Sequence, residues 1–497
     1  MNVVGRVLHF GKTRGAAPAL VEGDRTISFG KLAELLNRTA GHLAARGLRR
    51  GDRVGLCLKD TSSHVIGLLG AALMGAVPVP LDWRARPGEN ARFIDALGLA
   101  CTLTEPDTQL SSGAMIPLDD EWHRAVARTE PTDHWPAVWD DPFLISASSG
   151  STGAPKFTLM THHQYYFAIV GMFELMALAG RHRFLCTLPL YYSGGRNSCI
   201  AHLLRGDCVV LYPNLFGPAE YIEVVDRQRI SVATVVPTGV RQLLAEGGNE
   251  PLFPNLATLF CTGAPLHARE KHLAARKLTA NFQERYGTAE TLAISVLRPE
   301  DFAERPDSVG QPHSLAEVEV VDADDRPLPD GAAGLLRIRG PGMGSPLAGQ
   351  SSQANFRGGW YYPGEIARLD SAGYIFLLGR TSDVIMRNGA KVYPAEIERI
   401  LLEHPGVLEA AVLGHRGADN EEAIVALVVP RGRLAVGQLV AHCRARLTPH
   451  KVPRQFHLLS QLPRNTAGKL DKLALAASLD APGNPGSAFA SHADSCE

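Results

Sequence analysis

Between about residues 50 and 300, short β-branched runs alternate with stretches of helical pattern: 54–58 then 63–74, 184–190 then 197–204, 208–212 then 219–229, and 232–236 then 239–245. This alternation leaves few architectures open. A strand reaches a parallel neighbour only through a long crossover, and the crossover lays a helix over the sheet. The pattern therefore predicts an α/β protein of helix-covered, mainly parallel sheets. Residues 316–340 change character, with the β-rich runs VEVVD and LLRIRG around the turn signal DDRPLPDG, which reads as antiparallel strands or a small barrel-like part.

At 497 residues the chain exceeds what one hydrophobic core usually supports. A second, α+β domain is expected after residue 382: a helix start at PAEIE (394–398), apolar runs at 407–414 and 423–429, a helix near 436–447, and a basic end. The expected division is a large domain over 1–381, a small mobile domain over 382–480, and a tail over 481–497 whose Gly, Pro, Ser and Ala have little to bury.

Fifty basic side chains against fifty-one acidic ones leave no strongly basic surface, which argues against nucleic acid and for small-molecule partners. The eight cysteines are scattered without a C-x-x-C pair, as expected of buried thiols in a reducing compartment. The N-terminal stretch MNVVGRVLHFGKTRG has no long apolar core, and the apolar stretch 65–80 is too short for a membrane span and is broken by Gly and Pro. A cytoplasmic protein, monomer or homodimer, is the expectation.

The stretch SASSGSTGAPKFTLMTHH, residues 146–163, directly follows the apolar run 143–145. It supplies what a phosphate-gripping loop needs: glycines that let the backbone approach, hydroxyl and amide donors, and a cation. It is not a Walker loop, since counting from Gly150 puts Pro155 at the second glycine and Phe157 follows Lys156. Nor is a Rossmann oxidoreductase indicated, because GPGMGS (340–345) lacks the third glycine and follows no crossover strand to a helix.

Four further motifs follow in order: TGAP (262–265), ERYGTAE (284–290), GWYYPGEIARLDSAGYIFLLGRTSDVIMRNGAKVYPAEIE (359–398) and LPRNTAGKL (462–470). Together with SSGSTGAPK (148–156) they resemble the adenylate-forming superfamily of acyl-CoA synthetases, luciferases and peptide-synthetase adenylation domains, most of all a stand-alone acyl- or aryl-CoA ligase. The resemblance implies that Ser148, Ser149, Ser151, Thr152 and Lys156 handle the ATP phosphates. It implies an adenine pocket at Gly263, Ala264, Pro265, Tyr286 and Gly287, with Tyr286 as the stacking ring. Glu290 is the implied Mg²⁺ ligand. Ala289 replaces the family's hydroxyl, leaving Thr288 or Thr291 for the phosphate. Glu365 and Arg380 take the ribose positions, Gly389 lies in the loop presented to the incoming thiol, and Lys469 matches the catalytic lysine. Phe157 stands where a glycine is usual, Glu365 replaces an aspartate, and Ser382 replaces the hinge Lys or Asp.

The activity so implied converts a carboxylic acid and ATP to an acyl adenylate and pyrophosphate, then exchanges AMP for a thiol. The cofactors are ATP, Mg²⁺ and coenzyme A. In amino-acid-activating relatives an aspartate pairs the α-ammonium; the corresponding LPLYYSGGRNSCIAHLL (188–204) has no acid, which favours a simple organic acid. Tyr191, Tyr192, Gly194, Arg196 and Thr238 are the candidate acid-pocket residues, with Arg196 either pairing a second carboxylate or a polar ring substituent, or lying at the surface or toward phosphate. Two rivals stand beside the CoA ligase: an enzyme that loads a separate carrier protein, and a nucleotide-binding relative without catalysis.

Overall fold

The computed structural model describes residues 3–131, 135, 139–149, 155–212, 217–248, 250–347, 354–387, 390–416, 422–464 and 470–480. The expected tail, 481–497, lies outside them. The chain divides into two compact units, one of residues 1–318 and 338–361, the other of 319–337 and 362–497.

The first unit is built on the predicted alternation. Among the described residues its largest sheet has nine strands, in the order Gln311–Pro312, Leu292–Leu297, Phe282–Thr288, Thr258–Cys261, Val232–Val235, Arg183–Cys186, Cys208–Leu211, Pro18–Glu22 and Arg25–Ser28. The six from Phe282–Thr288 to Pro18–Glu22 pair in parallel, and antiparallel strands finish both edges. A second, all-parallel sheet runs Val77–Pro80, Arg53–Cys57, Cys101–Thr104, Met115–Pro117. Helices cover the central strands, and Val232–Val235 and Thr258–Cys261, for example, are buried at every position.

The crossover helices carry their start signals in the sequence. Pro218 and Pro237 occupy first-turn positions, where the missing N–H is no loss. The helix His162–Met176 opens with a reciprocal cap: Thr161 Oγ1 accepts from the Gln164 amide at 3.1 Å, and Gln164 Oε1 accepts from the Thr161 amide at 2.9 Å. Helix Ser193–Arg205 is buried from Gly195 to Leu204, as befits an element packed on several sides, and ends at the left-handed Gly206.

One boundary differs from the sequence expectation. The apolar run 184–190 reads in the sequence as one strand, but the strand ends at Cys186. Pro189 cannot donate to a ladder, and the Leu190 amide donates instead to Asp60 Oδ1 at 2.6 Å, so 187–192 is a loop held to the other parallel sheet's side.

In the second unit, Val407–Arg416 pairs antiparallel with Glu422–Pro430, which pairs in parallel with Gln455–Leu458. The central strand shows why the sequence reads as a continuous apolar run. Ile424, Ala426 and Val428 join a core with Ile397, Ile400 and Leu401 of helix Pro394–Glu403 and with Leu439 of helix Val436–Arg444. Val425, Leu427 and Val429 join a different cluster with Leu475 of helix Lys472–Asp480. Both faces are covered, so period-two patterning never appears. No described helix is long and apolar enough to cross a membrane.

Candidate active site

Loops after parallel strands open on one edge of a sheet, and ligands of open α/β sheets bind outside the carboxyl ends of the strands. Four of the candidate segments of the first unit leave the main sheet there. The loop 187–192, the candidate acid-pocket loop, follows Arg183–Cys186, Thr238 lies in the first turn after Val232–Val235, TGAP follows Thr258–Cys261, and YGTAE closes Phe282–Thr288. The sequence spaces these segments widely; the crossovers bring them to one edge.

The phosphate stretch forms an antiparallel hairpin of Pro142–Ser149 and Pro155–Thr161. Ser148 and Ser149 belong to the first strand, while Ser151 and Thr152 lie outside the described residues. The register sets two faces. Ile145 pairs with Leu159 and Ala147 with Phe157 on one, and Ser146 pairs with Thr158 on the other, with Lys156 in backbone register with Ser148. Phe157 is therefore opposite to Lys156. It is 1% exposed, packs with Cys57, Val77, Val79, Leu81, Ile94 and Leu97, and meets Phe93 edge to face at 6.1 Å. In place of the family's glycine, the hairpin here carries an apolar anchor.

On the polar face, Thr158 reaches the candidate metal ligand. Glu290 Oε1 accepts from the Thr158 hydroxyl at 3.1 Å, and Oε2 accepts from the Tyr361 hydroxyl at 2.8 Å. The Gly344 amide holds the Glu290 carbonyl at 2.7 Å. Just upstream, the Thr288 amide and hydroxyl meet Thr291 Oγ1 at 3.1 and 3.2 Å. Thr291 is buried and Thr288 half-buried, so of the two hydroxyls left in place of the family's residue, Thr288 has the better access. Gly287 is dictated by close approach: a Cβ there would stand 1.7 Å from the Leu292 carbonyl oxygen, at the register shift between Tyr286 and Gly287. Tyr286 is 9% exposed within its strand, so little of its surface is open. Gly263, at φ +99°, turns the TGAP loop, whose Gly263 and Ala264 are half-buried and Pro265 exposed.

The single carboxylate fits a Mg²⁺ ion of the kind held by one protein ligand, waters and substrate phosphates. Among the described residues no cluster of three His, Cys, Asp or Glu offers a self-sufficient cage.

Of the candidate acid-pocket residues, Tyr191, Tyr192, Gly194 and Thr238 are half-buried. The Arg84 guanidinium lies 5.5 Å from the Tyr191 ring centroid. Gly195 lets the first turn of its helix press on the loop, since a Cβ would meet the Leu188 and Pro189 carbonyl oxygens at 2.4 Å. Arg196 is 2% exposed and engaged with the protein: Nη1 donates to the Tyr191 carbonyl and Nη2 to Ser146 Oγ, both at 2.7 Å. Burial pushes its pKa down to about 10. Burial likewise raises the Asp60 pKa, against the opposing hydrogen bonds from Leu190 and Trp83.

In the second unit, the two ribose candidates face each other across a hairpin. Glu365 and Arg380 are register partners on Glu365–Leu369 and Ile375–Arg380, with Arg380 Nε 4.0 Å from Glu365 Oε1. Next to the candidate hinge residue Ser382, Asp383 accepts from Ser382 Oγ at 2.8 Å and pairs with Lys472 at 2.7 Å. Burial works against its charge, but Lys472 prevails and lowers the pKa. Gly389 and Lys469 lie outside the described residues.

Thr158, Tyr361, Ser146 and Asp60 escaped the sequence reading. Thr158 carried a usable signal, two residues after Lys156 on one strand and thus on its face; Tyr361 lay inside the GWYYPGE motif without a chemistry to mark it.

A helix-covered parallel sheet with a hydroxyl-rich hairpin and a tethered carboxylate at its carboxyl edge defines a nucleotide-handling α/β enzyme class. The chain belongs to the AMP-binding enzyme family: the family model matches residues 9–346, and that of the AMP-binding enzyme C-terminal domain matches 396–469. It is 30% identical over 470 residues to a feruloyl-CoA synthase of Amycolatopsis sp, covering 92% of this chain and 94% of that protein. It is 29% identical over 458 residues to a 2-succinylbenzoate–CoA ligase of Bacillus licheniformis, covering 91% and 95%. The o-succinylbenzoate CoA synthetase of Bacillus subtilis, solved with its acyl-adenylate intermediate, matches with a TM-score of 0.85 and 25% identity over 97% of this chain and 99% of that one.

Proposed function

We propose that this chain is an ATP-dependent acid–CoA ligase, AMP-forming, acting on an aromatic acid. The carboxylate oxygen of the acid attacks the α-phosphorus of ATP and pyrophosphate leaves; the CoA thiol then attacks the acyl carbon and AMP leaves. The observation that carries the reading is the Glu290 carboxylate, oriented by two hydroxyls beside the hairpin that bears Lys156. The kinship with aryl-CoA ligases over more than nine-tenths of the chain supports it.

The chemistry asks for positioning and for charge on the phosphate oxygens to be met. Glu290 is assigned to Mg²⁺, which when bound neutralises phosphate charge. Ser148, Ser149, Ser151, Thr152, Thr288 and Lys156 are assigned to the phosphates, and Lys469 to the α-phosphate and the acid. Gly263, Ala264, Pro265, Tyr286 and Gly287 are assigned to adenine, and Glu365 with Arg380 to the ribose and phosphate. Tyr191, Tyr192, Gly194 and Thr238 form the acid pocket. Residues 382–480 act as a lid that turns about Ser382 between the half-reactions, bringing the loop at Gly389 to the thiol.

The test is ATP–pyrophosphate exchange with benzoate, ferulate, 2-succinylbenzoate, adipate, octanoate and phenylalanine, followed by product detection with CoA. Exchange and thioester formation with an aromatic acid is the expected result. Exchange without thioester would transfer the acceptor role to a carrier protein, and no exchange with any acid would overturn the ligase.

A further inference from the structure

Arg196 poses a physical problem. It is a buried cation in the first turn of helix Ser193–Arg205, whose amide end is the positive end of the helix dipole. Among the described residues no carboxylate lies within ion-pair distance of it, and its Nε has no hydrogen-bond partner. Burying an unpaired charge costs several kcal/mol, whereas anchoring a loop needs only a neutral donor. The arrangement calls for a reason beyond packing.

Its contacts supply one. Nη1 holds the Tyr191 carbonyl of the acid-pocket loop at 2.7 Å, with the Leu190 carbonyl at 3.5 Å. The amide of Leu190 is held from the other direction by Asp60. Nη2 holds Ser146 Oγ at 2.7 Å, and Ser146 is the direct cross-strand partner of Thr158, the residue that donates to Glu290. Directly opposed antiparallel residues stand about 5 Å apart at Cβ. One continuous set of contacts thus joins the wall of the acid pocket to the base of the phosphate hairpin and on to the metal ligand.

We infer that Arg196 is a positioning residue that couples the two substrate sites, so that an acid seated against the Tyr191 loop sets the hairpin bearing Lys156 and Thr158 for ATP. A fork is required, because one group must grip two carbonyls and a hydroxyl at once, which an ammonium on a flexible stem does poorly. The coupling is a free energy between two sites and so acts in both directions: acid tightens ATP, and ATP tightens acid by the same factor. The inference rests on the ligase reading above.

The experiment measures the ATP KM in pyrophosphate exchange at low and saturating acid, under conditions where ATP release outruns chemistry so that KM reports binding, using whichever of benzoate, ferulate, 2-succinylbenzoate or adipate supports the fastest exchange. In the wild type, saturating acid lowers the ATP KM by roughly five-fold or more, a typical coupling. In Ser146→Ala, which leaves the buried cation in place, the ratio falls below about two-fold while the enzyme stays folded. Arg196→Met does the same, and Arg196→Lys restores part of the ratio. A wild-type ATP KM indifferent to acid overturns the inference, as does an undiminished ratio in folded Ser146→Ala. A lower melting temperature with unchanged coupling would assign Arg196 a purely structural role. Absence of wild-type exchange with any acid would instead overturn the ligase reading, so the two failures are distinguishable.

Discussion

Replacing Phe157 by alanine tests the two-faced reading of the phosphate hairpin. The ring is 1% exposed and wedged among Cys57, Val77, Val79, Leu81, Ile94 and Leu97. Truncating a fully buried phenylalanine removes its transfer free energy and leaves a cavity, together about 3–5 kcal/mol. The surrounding residues come from the second parallel sheet and the helix Pro87–Leu97, anchored elements with little freedom to collapse, which places the loss toward the upper part of that range. Phe157→Leu keeps most of the volume and loses about 1 kcal/mol. Phe157→Gly, which installs the residue usual in the family, is worse than alanine by about 0.5–1 kcal/mol, because glycine in a strand gives up more backbone entropy. The measurement is urea unfolding followed by intrinsic fluorescence, with the ATP KM in parallel. Because Lys156 and Thr158 flank Phe157 on the same strand, the ATP KM rises with the loss of stability. An alanine variant that loses less than about 1 kcal/mol, or a glycine variant more stable than the wild type, would refute the anchor.

Glu290→Gln keeps the side-chain shape and one of its two hydroxyl-accepting oxygens but removes the charge proposed to meet Mg²⁺, and pyrophosphate exchange should fall by at least about 100-fold at millimolar Mg²⁺, comparable with losing one preorganised charge-stabilising group. Lys469→Ala should abolish adenylate formation while sparing thioester formation from preformed acyl adenylate; equal loss of both would remove its assigned role. His64, fully buried in helix Ser62–Leu73, has its pKa pushed down to about 4 by burial, above all. A group whose folded pKa is depressed stabilises fully above its unfolded value, near 6.5, and loses that stabilisation as pH falls toward the folded pKa. Between pH 6.5 and 4 the wild type should therefore lose on the order of 3 kcal/mol through this group, and His64→Asn should flatten that part of the stability profile measured by urea titration.

Much of the fold, and the candidate site loops, can be read in the order of the chain. The alternation of β-branched runs and helical stretches sets parallel sheets, and the carboxyl edge of such sheets is where loops like TGAP and YGTAE must open. The hydroxyl and glycine content of 146–156 makes it the candidate phosphate loop, a reading that needs local chemistry only. The proline starts at 218, 237 and 394 and the Thr161–Gln164 cap likewise involve neighbours only.

What the order of the chain leaves open is who meets whom. Glu290 gains its hydroxyl partners from Thr158 and Tyr361, 132 and 71 positions away, and Arg196 reaches Ser146 across 50. Phe157, read from the sequence as a departure from a glycine motif, became an anchor once the hairpin register put it on the apolar face. The run 184–190 broke at Cys186 because Asp60, far upstream, took the Leu190 amide. Local patterning is decided by the conformational preferences and burial needs of adjacent residues, and the sequence alone determines it. Contacts over such distances depend on the crossovers and strand register that the whole sheet adopts, and only the tertiary structure decides them.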